Sequence, residues 1–352
     1  MVVERRGPQS APPGRSPQRR RLLGLALLVA GLAVVAVLSL VIGARSLTPA
    51  EVWRGLFGDP GTDQQLTEIT LIVHTLRIPR TVLAIVAGLA LGMAGALIQG
   101  HTRNPIADTG LLGVNSGASF AVVLSIALFG LQSPLQYVWF ALLGAAAAGV
   151  VVFGLSSLGR GAGNPLTLVL AGQGVTIFLA AMTTAVALGN TQSLDVLRFW
   201  NAGSVQGVGY DVIGTASAFI AVGIVLALAN LPVLNLLNLG DDVARGLGVN
   251  ILAGRTVGVV AVTLLAGAAT AACGPIAFLG LMVAHVARWI TGPDYRWMVP
   301  YAGLLGSVVL LLGDVVGRLV VRPAELQAGI VIALIGAPFF AALVWLGKFR
   351  QA

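Results

Sequence analysis

Long apolar runs alternate with short breaks rich in polar residues, glycine and proline along nearly the whole chain. The runs fall at about Leu22 to Ile42, Thr81 to Ile98, Leu111 to Leu131, Leu135 to Leu155, Leu166 to Leu188, Val212 to Leu231, Thr256 to Cys273, Pro275 to Ile290, Val299 to Val316 and Ala328 to Leu346. Each approaches the roughly 20 residues an α-helix needs to cross a bilayer. The pattern predicts an all-α, polytopic membrane protein of about ten transmembrane helices. The count turns on Gly274-Pro275, because a mere kink there would merge two spans into one tilted helix and invert the last two. Between the first two runs, Ser46 to His74 is polar and mixed. It includes a short amphipathic piece, Thr48 to Phe57, with Thr48 as N-cap and Val52, Leu56 and Phe57 inward.

The second run organises the rest. Arg77 and Arg80 precede it, and Gly88, Gly92, Ala96 and Gly100 recur along it every four residues. Such a small-residue stripe lets another helix approach backbone to backbone in lipid, where hydrophobicity alone gives helices no reason to associate. Pro105 then lacks an N–H and pushes Asn104 out of the helical region, so the chain turns at a polar loop.

The residues here carry a resemblance. R-I-P-R at Arg77 to Arg80, then Gln99, R-N-P-I-A-D at Arg103 to Asp108, and L-G-V-N-S-G-A ending at Gly117 and Ala118 resemble the permease subunits of bacterial ferric-siderophore, haem and cobalamin ABC importers. The likeness covers roughly Leu22 to Leu346. It implies a type II ABC importer permease architecture in the bacterial cell membrane and a second permease subunit, identical or homologous. It also implies an ATP-binding subunit that uses ATP and Mg, and an external solute-binding protein. By the same resemblance Arg77, Arg80 and Arg318 receive acidic residues of the binding protein. Read from spacing alone, these arginines anchor span ends at the headgroups.

Composition agrees about the solvent. Hydrophobic residues make up 57% and charged residues 10%, against roughly 25% charged in soluble domains. The net charge of +8 does not point to nucleic acid, because six of the 21 basic residues lie in the first 21 positions and read as a topology signal. Residues 1–21 are expected to be a disordered basic cytoplasmic tail, 22–347 the membrane domain and 348–352 a second tail. A signal peptide is disfavoured for Leu22 to Ile42, which exceeds the roughly 7–15 residues of a signal core. With both termini in the cytoplasm, fourteen basic residues fall inside and seven outside, as the positive-inside rule requires. Lone Cys273 excludes an internal disulfide.

Leu237 to Asn250 reads LNLGDDVARGLGVN. Asp241 can cap a helix beginning at Asp242, the two acids suit its positive end, and Gly248 can end it. Val243, Ala244 and Leu247 then share one face, flanked by Arg245. The segment resembles the family's coupling helix, which lodges in the ATP-hydrolysing subunit. The chain has no phosphate-binding loop of its own, since its only lysine is Lys348 and that motif needs one inside a glycine-rich turn.

Other polar groups have structural readings. His285 and Arg288 share a helical face and are expected to brace the loop carrying Asp294, and Asp314 and Arg318 can pair at i,i+4. The family's proline is replaced by Ala284 and by Gln327. Trp200, in F-W-N-A-G-S, is as well explained as an interfacial anchor as by a substrate role. No cofactor or metal is expected on this chain, and lipid is its medium. The function expected is ferric-siderophore permeation, with cobalamin or haem behind it. An integral membrane enzyme lacks a catalytic constellation here. An ion-coupled carrier usually shows broken helices around midplane charges, whereas these charges cluster at span ends.

Overall fold

The computed structural model of the chain describes residues 17–43, 45–59, 61–157, 165–322 and 324–345. The expected tails are covered only in part: residues 1–16 and 346–352 lie outside the described residues, as does Arg160. Pro17–Val41 forms α1, so residues 17–21 of the expected disordered tail are helical.

The expected spans appear in order. They are α1, α4 (Ile78–Thr102), α5 (Val114–Phe129), α6 (Pro134–Ser157), α7 (Pro165–Leu188), α9 (Tyr210–Leu237), α11 (Ile251–Cys273), α12 (Leu279–Thr291), α13 (Tyr295–Val320) and α14 (Ala328–Trp345). Seven described helices are long and apolar enough to cross a membrane by themselves, and α5, α12 and α14 are shorter apolar helices. The remaining helices are α2 (Pro49–Phe57), α3 (Gln64–Leu71), α8 (Thr191–Asn201) and α10 (Asp241–Gly246).

The break at Gly274-Pro275 is real. Gly274 has φ 73° and Phe278 φ 63°, conformations no helix contains, and α12 leaves to pack on α4 and α13. Irregular backbone at membrane depth must be satisfied by protein, and here it is. The Ser204 N–H donates to the Cys273 carbonyl at 2.7 Å and the Gly329 N–H to the Gly203 carbonyl at 2.9 Å. α8 runs antiparallel to α5, with Ser193 Oγ donating to the Val123 carbonyl and Ser119 Oγ to Asn201 Oδ1. Trp200 at its end is therefore buried and is no interfacial anchor.

The polar Ser46 to His74 region is more helical than its composition suggests. α2 has the expected Thr48 cap, completed by Glu51, but Phe57 is exposed, tilted against exposed Trp53 with ring centroids 4.6 Å apart. α3 continues through a π turn, Ile72–Arg77, into α4. The turn sits where Pro79 supplies no N–H, and the Ile78 N–H reaches back five residues to Val73.

The core is built on α4. Its stripe meets α13 backbone to backbone: a Cβ at Gly88 would strike the Gly306 carbonyl and Ser307 Cα, and one at Gly92 the Ala302 carbonyl. Gly100 instead faces the Tyr295 ring and Leu234. Gly95, outside the expected stripe, abuts Gly280 of α12.

Candidate functional site

Polar chemistry gathers at the two ends of α4. At one end, Arg77, Arg80 and Arg318 are only 5%, 8% and 1% exposed, and each is engaged inside the molecule. Helix α1 ends there with the orphaned carbonyls that every helix C-terminus leaves. Arg77 donates to those of Val41 at 2.8 Å and of Arg45 just beyond, at 2.6 Å. Arg318 donates to Ser39 and Ile42, both at 2.8 Å. Arg322, one of the seven basic residues placed outside, donates to the Gly43 carbonyl at 3.2 Å. Three guanidinium groups thus cover the negative end of α1.

Arg80 turns the other way. Its Nε and Nη2 fork onto Asp314 at 2.9 and 2.7 Å, and its Nη1 meets Glu325 at 2.6 Å. Asp314 also takes Arg318, as the i,i+4 spacing predicts. One carboxylate, 1% exposed, therefore takes Arg80 of α4 and Arg318 of its own helix α13. All three are thus engaged within the chain. They line a cavity of ≈ 230 Å³ with Arg45, Thr75, Gln206 and Glu325.

At the other end, the α4 C-cap Arg103 has φ 48° and contacts the Leu237 carbonyl and Asp241. Asp241 is held again by Arg255 at 3.0 Å. It is consequently a tie to α4 and α11 and makes no side-chain cap. The N-cap position belongs to Gly240. α10 starts one residue earlier than expected, and its faces divide differently. Ala244 is fully buried against Leu237 and Ile251. Val243 and Leu247 stay 50% and 60% exposed, beside exposed Leu239 and Leu252. Asp242 and Arg245 pair at the surface, and Gly248 leaves the turn at φ 81° as expected. The same end carries Asp294, which accepts from Asn235 at 2.8 Å, with Arg21 nearby at 3.8 Å. Arg288 reaches Tyr295 beside it at 3.3 Å, in the expected bracing position.

Neither end assembles catalytic machinery. Among the described residues no group of three or more His, Cys, Asp or Glu could hold a metal ion, and Cys273 is buried. The arrangement is two ion-pair clusters at opposite ends of a glycine-packed helix pair, plus an apolar patch beside one of them. Residues 31–346 match the FecCD transport family.

The chain belongs to the FecCD transport family. It is 43% identical over 91% of its length to the ferric enterobactin transport system permease protein FepD of Escherichia coli, covering 93% of that protein. It is 35% identical over 94% of its length to the hemin transport system permease protein HmuU of Yersinia pestis, covering 96% of it. In three dimensions it is similar, with a TM-score of 0.78 and 27% identity, to a chain of a metal-chelate type ABC transporter in an inward-facing conformation. That match covers 94% of this chain and 99% of the other. This FecCD member is thus a membrane-embedded permease subunit of a metal-chelate or siderophore-type ABC importer, and its family is one of transport permeases rather than enzymes.

Proposed function

We propose that the chain forms the translocation path for a ferric siderophore delivered by an external binding protein, and that a separate subunit hydrolyses the ATP. The observation that carries the substrate class is the 43% identity to a ferric enterobactin permease across 93% of that protein. A haem permease is the second reading, on the 35% identity to a hemin permease.

In this reading the end bearing α10 faces the cytoplasm, with both termini there. Val243, Leu247 and Leu239, apolar and exposed outside the spans, with Leu252 at the start of α11, are what an ATPase subunit would cover. Asp241 holds that patch in place through Arg103 and Arg255. The binding protein docks at the opposite end, around the cavity lined by Arg77, Arg80 and Arg318, with exposed Arg45 on its rim. A second permease subunit, identical or homologous, completes the path.

The test is uptake of radiolabelled ferric siderophore and haem by cells with and without the chain. Uptake of iron chelate that depends on the chain is expected. Chain-dependent uptake of haem alone would replace the siderophore reading by the second one.

A further inference from the structure

α2 carries apolar side chains on two faces, although it lies outside the spans. On the inner face Val52 and Gly55 are buried, and Val52 joins Leu47, Ile69 and Val73 in a small core of its own. Ala50, Trp53, Arg54 and Phe57 follow the i, i+3, i+4, i+7 spacing of the other face, and all four are exposed. A helix bordered by water keeps its second face polar. Here that face holds two large aromatic rings one turn apart, Trp53 and Phe57, 66% and 70% exposed.

Contacts fix the depth of α2. The apolar run of α1 ends near Val41, whose carbonyl accepts from Arg77 at 2.8 Å. Val73 and His74 precede Arg77 by four and three residues, so they stand roughly 5–6 Å above that end at most, at about 1.5 Å per residue. Gly55 packs at their level: a Cβ there would meet Val73 Cγ2 at 3.2 Å and Ile69 Cγ2 at 2.9 Å, and its carbonyl lies 3.1 Å from His74 Nε2. Trp53 and Phe57 flank Gly55 by two residues each. The polar layer on each side of the hydrocarbon core is roughly 5–8 Å deep, so α2 lies at the headgroups. Its lateral place is the edge of the bundle. α2 packs on α1, and α1, packed on α13 and α4, leaves Leu27, Val34 and Val37 exposed along its length.

We propose that the Trp53 and Phe57 face of α2 inserts into the headgroup layer of the adjoining lipid leaflet, with Arg54 against lipid phosphates, and so pins the joined ends of α1 and α4 to the bilayer surface. Indole rings concentrate at this level because they are apolar in body and polar at one edge. Short helices with an apolar face and a basic side chain lie in the plane of the interface for the same reason. Assignment to the outer leaflet rests on the orientation proposed above. The insertion itself does not.

The test uses the full-length chain in proteoliposomes of phosphatidylethanolamine and phosphatidylglycerol, spin-labelled at Phe57→Cys. The native Cys273 is buried and stays unlabelled. A nitroxide at position 57 is expected to meet dissolved oxygen more readily than a water-soluble nickel chelate, whereas one at Gln65→Cys, on the exposed polar start of α3, shows the reverse. With Phe57 intact, phospholipid brominated close to its headgroup should quench a larger share of the tryptophan emission in the wild type than in Trp53→Phe. Nickel access at 57 equal to that at 65, or equal quenching in the two chains, would overturn the insertion. Access that closes only when a binding protein is added would give this face to that protein instead. Spin–spin broadening lost on dilution with unlabelled chain would give it to a second copy.

Discussion

Asp314 shows how much one residue can carry. It is buried, and it answers both Arg80 and Arg318. Removing one member of a buried ion pair costs about 3–5 kcal/mol, because a charge is left uncompensated. Asp314→Asn is expected to lower thermal stability in detergent by that order, with the midpoint read by tryptophan fluorescence. An unchanged midpoint would mean that Glu325 alone suffices for Arg80. The same geometry bears on charge reversal. Arg80→Glu would set a third carboxylate beside Asp314 and Glu325, so its first effect is loss of folded protein in the membrane, seen as reduced monodisperse yield. Any loss of binding-protein affinity follows from that. A reversal at exposed Arg45 tests docking more cleanly. It should weaken binding-protein affinity at low salt and much less at high salt, as rim charges do.

Between residues and the whole lie the helices, whose fit is set by small features. α4 and α13 touch where Gly88 and Gly92 meet Ala302, Gly306 and Ser307. Gly92→Val must drive the helices apart, and overpacking of this kind costs about 1–3 kcal/mol. Lower yield of folded protein and faster labelling of a cysteine introduced into α13 are the expected readouts. α2 offers a pH handle outside the spans. The Thr48 backbone N–H, and after it the Thr48 hydroxyl, hold the Glu51 carboxyl below its ordinary value of 4.5. A depressed carboxylate stabilises the fold above its unfolded value and loses that contribution as pH falls through its folded value. Amide exchange in the first turn of α2 should therefore accelerate, at matched intrinsic rates, only when the pH drops below 4.5, and Glu51→Ala should show the fast rate at every pH.

At the scale of the molecule, the two charge clusters sit at opposite ends of α4, Arg80 near one and Arg103 at the other. With about 1.5 Å per residue, they are roughly 35 Å apart, about the thickness of a membrane. Leu247→Asp places a charge in the proposed ATPase contact, where burying it unpaired costs several kcal/mol. It should abolish uptake in cells while the chain still inserts, because Leu247 is exposed in the subunit and its loss opens no cavity. A cysteine at 245, on an exposed side chain, should react with impermeant thiol reagents only in opened cells. Reaction in intact cells would reverse the proposed orientation.

The sequence by itself determined the solvent, the long apolar helices and that there are about ten of them, because span length and apolar content answer to the bilayer alone. It also marked the break at Gly274-Pro275, the Gly88 and Gly92 stripe and the short helix at Asp242, since proline chemistry, small-residue spacing and capping act within a few residues. It left the partners of the charges undecided. Spacing gave Arg318 its i,i+4 partner Asp314, but Arg77 and Arg80 read as anchors, or by resemblance as docking groups, until α1, α4 and α13 were brought together and the carbonyls ending α1 and Asp314 became their acceptors. Asp241 looked like a cap because its neighbours in sequence suit one, while its neighbours in space, Arg103 and Arg255, lie far along the chain. Ala244 and Leu247 appeared to share a face, yet one is buried and the other exposed. In so short a helix, the surrounding helices decide which side is inward.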